Sequence, residues 1–527
     1  MSLRNRFVLP VIAVLGLAVL AGCGNGSPKP TPPPSGSFSN SNLKGTYVFS
    51  IVGMDSAGNF LAVTGTFAAN GTGGTGGITG GAVDINDSGF TPATTNSPIT
   101  GGSYSVTQDG RGQAILTTAT PWGSPAIQVD FALTSSGHGL ITQFDSYGSG
   151  SGSFDLQTAA SQPAVGNYVL GISGITGSTL TPGAMAGAIT LDASGNASGS
   201  VDYNNSAVSS LPTVNSGSTV LVSGTPGRAT LVTSGGTFNF DVYGIDATHW
   251  RLIETDSFPI LSGDLFAQTS TALPSGQVVF TMAGFDYSTS AGGPLAVGGL
   301  MTSDGTSTIS DGEEDFDDAG AVDSAGPQAF AGTITPPTSG SRYVLALNNF
   351  VNGNAAAVGS YTFAAYPYSG GVQVVEIDDG GVTAGVAFPQ SSTSLASAQG
   401  YAFGLSAANS GGFEEDDIAE FTTTSSSFNG IIDVNDQGTT HFGQSFSGTY
   451  SLDSPATGRG VLNSSLLNGA FYTVDGSNVL FIETDGSSQL GLGAFQSQSA
   501  SAQSAFAAQH MAVMRLKAGA KGAWRRR

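Results

Sequence analysis

Pairs of oxygen-bearing side chains, two residues apart, close four short apolar segments of this sequence. Residues two apart on a strand share one face, so the two side chains of a pair lie together. Two carboxyl groups that flank a glycosidic bond can hydrolyse it, but neighbours on one strand cannot stand on opposite sides of a bond. We therefore expect no catalysis from the pairs. They are Gln143/Asp145, Glu254/Asp256, Glu376/Asp378 and Glu483/Asp485.

Arginines form a second series with a similar period. Four of them are separated by 117, 114 and 117 residues, in a part of the chain that is nearly free of positive charge. A planar guanidinium matches a carboxylate, so the series predicts one structural ion pair within each repeat. Ligand binding and catalysis are the alternatives. The expected pairs are Arg111 with Asp145, Arg228 with Glu254, Arg342 with Glu376, and Arg459 with Glu483.

The acidic run at residues 311–318 could bind calcium, which is an alternative to a purely structural role for these residues. Calcium takes six to eight hard oxygen ligands, and the candidates here are Asp311, Glu313, Asp315 and Asp317. The spacing matches no complete EF-hand loop, and Asp, Asn and Gly are also ordinary turn residues. Apart from this calcium alternative, no cofactor is expected.

No catalytic motif accompanies these residues. His138 and His249 occupy one column, seven residues before their aspartates, whereas His441 and His510 stand alone. HExxH, the phosphate-binding loop, the GxSxG elbow and Cys/His metal spacings are all missing. The sequence therefore predicts a protein that is not an enzyme.

The charge is strongly acidic and unevenly placed. The net charge is −22, but residues 45–509 hold all 37 acidic residues and only five arginines, which gives −32 there. Such a surface repels nucleic acid, so no nucleic-acid partner is expected. Gly accounts for 78 of 527 residues and charged residues for 10%, a composition typical of a secreted all-β protein.

The first 23 residues carry a targeting signal. Arg4 and Arg6 precede an apolar run from Val8 to Leu20, which is short for a membrane span. The segment ends in Leu20-Ala21-Gly22-Cys23, which resembles the lipobox of bacterial lipoproteins. The resemblance implies cleavage before Cys23, lipidation of that residue and, with Gly24 next, an outer-membrane location in the cell envelope. An ordinary secretory signal with an incidental cysteine is the alternative.

Two further segments flank the acidic body. Residues 24–42 are rich in Pro, Gly and Ser, which predicts a tether that holds the body away from the lipid. Residues 500–527 have no acidic residue and six basic ones. This basic segment is interpreted either as a frayed tail or as a segment that docks on the acidic body or on anionic lipid or polysaccharide.

The acidic body repeats four times, with a period of roughly 113 residues. Each repeat reads as about eight short antiparallel strands, which predicts an all-β fold of four barrels or barrel-like sandwiches. An eight-bladed β-propeller is the alternative. The expected boundaries are 1–23 for the signal peptide, 24–42 for the tether, 43–160, 161–272, 273–394 and 395–499 for the repeats, and 500–527 for the basic segment.

The repeats also resemble tandem β-repeats of uncharacterised bacterial surface lipoproteins, whose units open with a Gly-x-Tyr strand. Gly45-Thr46-Tyr47 and Gly166-Asn167-Tyr168 fit this pattern, whereas Val278 replaces the tyrosine in the third repeat. The expected function is therefore a non-enzymatic, envelope-anchored surface, adhesion or scaffold module. The membrane is its partner through the lipid on Cys23, and an envelope polysaccharide or a protein is the further partner class. The alternative is a carrier that holds a small apolar ligand inside the barrels.

Overall fold

The computed structural model describes residues 38–177, 181–206, 208–287, 293–318, 321–322, 326–351, 360–409, 413–485 and 489–499. Within these ranges the chain is all-β, apart from one turn of 3-10 helix at Asn40–Asn42. Four closed antiparallel barrels follow one another along the sequence, each with eight strands. The propeller alternative is therefore wrong.

The first barrel lies within the first predicted repeat. The barrel is closed because β2 pairs with both β1 and β3. Strand β4 pairs with β3 but is not one of the eight strands of the closed barrel. The strands are β1 (Lys44–Asp55), β2 (Phe60–Asn70), β3 (Gly76–Asp87), β4 (Phe90–Ile99), β5 (Gly101–Val106), β6 (Arg111–Thr117), β7 (Ala126–Leu133), β8 (His138–Gln143) and β9 (Gly148–Leu156).

The second barrel keeps this order, with two short extra strands, β13 and β15, beside the wall. Its strands are β10 (Gly166–Ile175), β11 (Pro182–Leu191), β12 (Ala197–Asn205), β13 (Val208–Ser210), β14 (Thr213–Val214), β15 (Thr219–Leu221), β16 (Gly227–Thr233), β17 (Gly236–Gly244), β18 (His249–Glu254) and β19 (Ile260–Ala267).

The third and fourth barrels repeat the pattern, and β23 is a short extra strand in the third. The third contains β20 (Gly276–Asp286), β21 (Gly293–Ser303), β22 (Thr308–Asp318), β23 (Ala321–Val322), β24 (Gln328–Thr335), β25 (Tyr343–Asn348), β26 (Ser360–Pro367), β27 (Val372–Glu376) and β28 (Gly381–Pro389). The fourth contains β29 (Gly400–Asn409), β30 (Glu414–Thr423), β31 (Ser427–Asp436), β32 (Thr439–Leu452), β33 (Arg459–Ser464), β34 (Asn468–Thr473), β35 (Asn478–Glu483) and β36 (Gln489–Ser497).

Successive side chains of a strand point alternately into and out of the barrel, so every strand contributes side chains to the interior. In the fourth barrel Tyr401, Phe403, Phe421 and Phe495 meet inside and are at most 2% exposed. A repeated glycine lets the last strand approach the first: a Cβ on Gly152 would lie 1.8 Å from the carbonyl oxygen of Ser50. The barrel interiors are therefore packed cores.

The four barrels form a closed ring. The first three strands of one barrel pack against the last three strands of the next, and β29 and β30 of the fourth barrel pack against β7, β8 and β9 of the first. Apolar side chains fill these junctions: one cluster joins barrels two, three and four, a second joins one and two, and a third joins four and one. Each junction uses the same two faces, and the contact between barrels four and one closes the ring after four units.

All four barrels point the same way. The oxygen-bearing pairs found in the sequence lie at one end of every barrel, which we call the acid end. The connections between consecutive barrels lie at the opposite end, the linker end. In the part of the chain that the structure describes, no helix has the length and apolar character needed to cross a membrane.

Candidate functional site

The first candidate site is the set of carboxyl groups at the acid end of each barrel. Glu254, Glu376 and Glu483 alternate with outward-facing apolar residues, so they point into the barrels, and each is 0% exposed. Glu254 accepts a hydrogen bond from the backbone N–H of Asn239 at 2.8 Å. In the first barrel, Gln143 instead donates to Asp145 at 3.0 Å.

Burial favours the protonated form of these glutamates. It raises the pKa of Glu254 to about 10, and it raises the pKa of Glu376 and of Glu483, which the neighbouring aspartates raise further. A protonated carboxyl group is neutral, which lets it remain inside a barrel without a counter-ion. Burial therefore shifts the inward-facing glutamates of the acid ends toward the neutral form.

The second candidate site is the ion pairs between barrels. Arg342 of the third barrel holds Asp202 of the second in a bidentate pair, with distances of 2.6 and 2.9 Å. Arg459 of the fourth barrel holds Asp315 of the third in the same way, at 2.7 Å for both bonds. At each junction a tyrosine hydroxyl also donates to the aspartate. The tyrosines are Tyr366 and Tyr472.

The other two junctions depart from this arrangement. Arg111 of the first barrel reaches Asp433 of the fourth at 3.1 Å, and Ala132 stands where the tyrosine would be. Between barrels one and two, Tyr243 donates to Asp84 at 2.8 Å. The arginine of this junction, Arg228, is 61% exposed and pairs at 2.8 Å with an aspartate of its own barrel, Asp241. Burial, followed by the Asp84 carboxyl, raises the pKa of Asp241 to about 8.

The predicted partners of the arginines are therefore wrong. The sequence pairs Arg111, Arg228, Arg342 and Arg459 with Asp145, Glu254, Glu376 and Glu483, but the structure pairs them with Asp433, Asp241, Asp202 and Asp315. The predicted acids point into the barrels at the acid end, whereas the arginines lie on the outer walls. Burial favours the neutral form of the inward-facing glutamates, and a neutral carboxyl group needs no cation.

Asparagines and glutamines join the same neighbours at the two ends of the ring. At the acid end, Asn204 donates to the backbone carbonyls of Glu376 and Gly381, both at 2.9 Å. Asn86 and Asn435 make equivalent pairs of bonds to the next barrel. At the linker end, a glutamine repeated in every barrel donates its side-chain amide to a backbone carbonyl of the next barrel. These glutamines are Gln157, Gln268, Gln390 and Gln498.

A buried charge cluster at the junction of barrels one and two was missed in the sequence. Arg251 of the second barrel donates to Asp155 of the first at 2.8 Å and lies 3.8 Å from Asp264. His138 bonds Asp155 at 2.6 Å, and His249 bonds Asp264 at 2.7 Å. Two features of the sequence could have indicated this cluster: His138 and His249 occupy the same position in their repeats, and Arg251 is the one arginine of the acidic body outside the regular series.

The calcium prediction at residues 311–318 is also wrong. The run lies on strand β22, so its acidic residues are spread along a strand instead of around a loop. Asp311 is exposed and Asp315 is held by Arg459, while Glu313 is half-buried and Asp317 is fully buried. Among the described residues, no three acidic, histidine or cysteine side chains are grouped as a metal ion requires.

These arrangements build structure. The histidine–aspartate pairs are buried away from solvent, and every arginine of the series holds a carboxylate. A cavity of about 20 Å³ lies inside the third barrel, between Phe280, Met301 and Leu345. That volume is roughly enough for one water molecule. Cys23, the predicted lipidation site, lies outside the described residues.

Comparison with known proteins adds no assignment. The chain matches no protein-family model and no curated protein.

Proposed function

We propose that this chain is a non-enzymatic lipoprotein of the bacterial cell envelope, in the outer membrane, anchored through Cys23. Its ring of four barrels serves as a rigid surface, adhesion or scaffold module. The observation that carries the scaffold role is the closed ring, in which apolar contacts, ion pairs and hydrogen bonds fix every barrel to two neighbours. A ring held at four junctions presents surfaces at fixed distances from one another.

The filled barrel interiors favour a scaffold over a carrier. A site that binds a small apolar molecule needs a cavity comparable in volume with the molecule, and a cavity of about 150 Å³ holds benzene. The cavity in the third barrel is about 20 Å³ and is lined by closely packed apolar residues. A carrier role would require these side chains to move apart, at the cost of their packing.

Native mass spectrometry of the protein purified from the envelope of its own host tests this proposal. We expect a chain that begins at Cys23 and keeps the mass of its acyl groups after denaturation, with no other bound mass. An added mass that is lost on denaturation would contradict the scaffold role and support the carrier. A chain without any acyl mass would overturn the lipid anchor.

A partner screen would then address the module itself. The protein in its native envelope can be cross-linked at its acidic surface, and the captured polysaccharide or protein identified. We expect capture to depend on an intact ring, because separated barrels no longer hold their surfaces at fixed distances. Equal capture by a variant whose ring is open would contradict the scaffold role.

A further inference from the structure

Barrel one is held in the ring by less apolar contact than the other three barrels. Among the described residues, one cluster of 24 buried apolar side chains runs through barrels two, three and four, and none of its members belongs to barrel one. Eight buried apolar residues form the cluster between barrels one and two, and four form the cluster between barrels four and one. Since buried apolar area supplies most of the free energy of such contacts, barrel one is the unit most easily released from the ring.

Polar groups complete both junctions of barrel one. Toward barrel two, Asp155 accepts a hydrogen bond from Arg251 at 2.8 Å. Toward barrel four, Arg111 binds Asp433 at 3.1 Å. These bonds fix the position of barrel one, but water solvates both partners when a junction opens, so their net contribution is smaller than their number indicates.

The connection between barrels one and two can let barrel one move away. Residues 157–165 contain no strand, and most of them are exposed. Nine residues span about 30 Å when extended. On its other side, toward barrel four, barrel one has no covalent connection at all. Barrel one can therefore leave its place while it stays tied to barrel two at the linker end.

A second copy of the chain offers barrel one the same place. That place is bounded by β29 and β30 of barrel four and by β17, β18 and β19 of barrel two. The strands are identical in every copy, so barrel one of another chain makes the same apolar contacts, ion pairs and hydrogen bonds there. A mutual exchange between two chains is closed, because it leaves no face of either ring uncovered.

We propose that two copies of this chain form a dimer by exchanging barrel one. Each ring of the dimer contains barrel one of one chain and barrels two, three and four of the other. The two connections cross between the rings at their linker ends. At low protein concentration the single ring prevails, because the short connection keeps barrel one at a high local concentration beside its own ring.

Reversing a charge where barrel one meets barrel four tests the proposal. The variants Arg111→Asp and Asp433→Arg are made in the chain from residue 24 to 527, which retains every described residue. Each variant alone places like charges at this junction, both in a single ring and in a dimer of identical chains. In a dimer of one chain of each kind, both rings regain opposite charges.

Co-refolding of the two variants is the measurement. They are unfolded together in urea, one of them labelled with heavy nitrogen, refolded by dilution and weighed by native mass spectrometry. We expect the mixed dimer to be at least about tenfold more abundant than the dimer of either variant refolded alone. A chain that carries both substitutions regains the opposite charges within its own ring and should be a monomer. A mixture that stays monomeric or aggregates, or dimers equally abundant without mixing, would overturn the proposal.

Cleavage of the connections identifies the exchanged barrel. The mixed dimer is prepared with a protease site inserted either after Ala160, between barrels one and two, or after Ser397, between barrels three and four. Only the connections at Ala160 join the two rings of the proposed dimer. Cleavage there should release two separate rings, whereas cleavage after Ser397 should leave the dimer intact. A dimer that survives cleavage after Ala160 would show that a different unit is exchanged and would contradict the proposal.

Discussion

The junction between barrels three and four and the junction between four and one use equivalent strands but differ in character. The first belongs to an extended apolar cluster that includes Leu480 and Ile482, and its Arg459–Asp315 pair is only 7% exposed on each side. The second has four clustered apolar residues, and its Arg111 side chain is 17% exposed. Those four are Ala132, Leu140, Ala402 and Ile418.

The two junctions also differ in how they are connected. Barrels three and four are consecutive in the chain, whereas barrels four and one meet only by non-covalent contact. The junction between barrels four and one, which we call the closing junction, depends more on polar groups, including a hydrogen bond of 2.6 Å from Ser149 to Asp416. Polar contacts respond to pH and to the loss of single partners, so we expect the ring to open first at this junction.

The largest expected effect is that of pH on the closing junction. Burial raises the pKa of Asp130 and of Glu420 to about 8, and that of Asp416 to about 7. The ordinary values are near 4, so the folded chain binds these protons more tightly than the unfolded chain. The stability they support is complete below about pH 4 and is lost as the pH rises toward 8.

Between pH 5 and pH 8 we expect the free energy of unfolding to fall by on the order of 5 kcal/mol. Hydrogen exchange should show β8 and β30 losing protection at a lower pH than β21 and β35. Asp130→Asn with Glu420→Gln should flatten the pH dependence. A stability that rises with pH over this range would contradict the prediction.

Removal of one arginine should distinguish the two junctions. Arg459→Met leaves Asp315 buried without its cation, so we expect a loss of about 3–5 kcal/mol in the free energy of unfolding. Arg111→Met removes a more exposed pair and should cost less than about 2 kcal/mol. Urea unfolding of both variants checks the order.

The double variant Arg459→Met with Asp315→Leu is the matched control. It removes both charges, so most of the lost stability should return. Equal losses for Arg459→Met and Arg111→Met would show that the burial of the pair does not decide its contribution.

A smaller effect is expected from the asparagines of the acid end. Asn435 donates to the carbonyls of Gln143 and Gly148, both in the first barrel. Asn435→Ala leaves two buried carbonyls without a donor and should cost about 2 kcal/mol. Asn429→Ala, at an exposed position of the same strand, should change stability by less than about 0.5 kcal/mol. Similar losses in thermal unfolding would contradict the role of the junction bond.

The smallest effect is a gain at the third barrel. Asp317 pairs with Ala296 in the register where Asn86 pairs with Ala62 and Asn204 with Ala184. An asparagine there can donate to backbone carbonyls of the next barrel, as Asn204 does in the second barrel, so Asp317→Asn should add about 1 kcal/mol. The reverse change, Asn204→Asp, should destabilise the second junction. Differential scanning calorimetry of the two variants measures both shifts, and a lower melting temperature for Asp317→Asn would contradict the prediction.

The repeat and the barrel could be predicted from sequence because both follow from local pattern. Strand β4 has no alternating pattern by which the sequence could predict it, since Phe90–Ile99 is rich in Thr and Pro and largely exposed. Alternation marks a strand only where one of its faces is buried.

The junctions could not be predicted because repetition hides which copy supplies the partner. An arginine equivalent to Arg342 and an aspartate equivalent to Asp202 occur in every repeat. The period of the sequence is therefore the same whether the two residues pair within one barrel or between two barrels. The partner of Arg342 is set by which acidic residue lies on the outer wall at the junction. Asp202 faces the third barrel, while Glu376 faces the interior of its own barrel. Packing between repeats leaves no separate periodic signal.

The closed ring also fixes the number of units the chain can contain. Every barrel uses one face toward the preceding barrel and another toward the following one, and after four barrels neither kind of face is left over. A solenoid can gain or lose a repeat and needs only caps at its ends. A chain with three or five of these barrels would expose one apolar face of each kind, so duplication or deletion of a single repeat should be selected against.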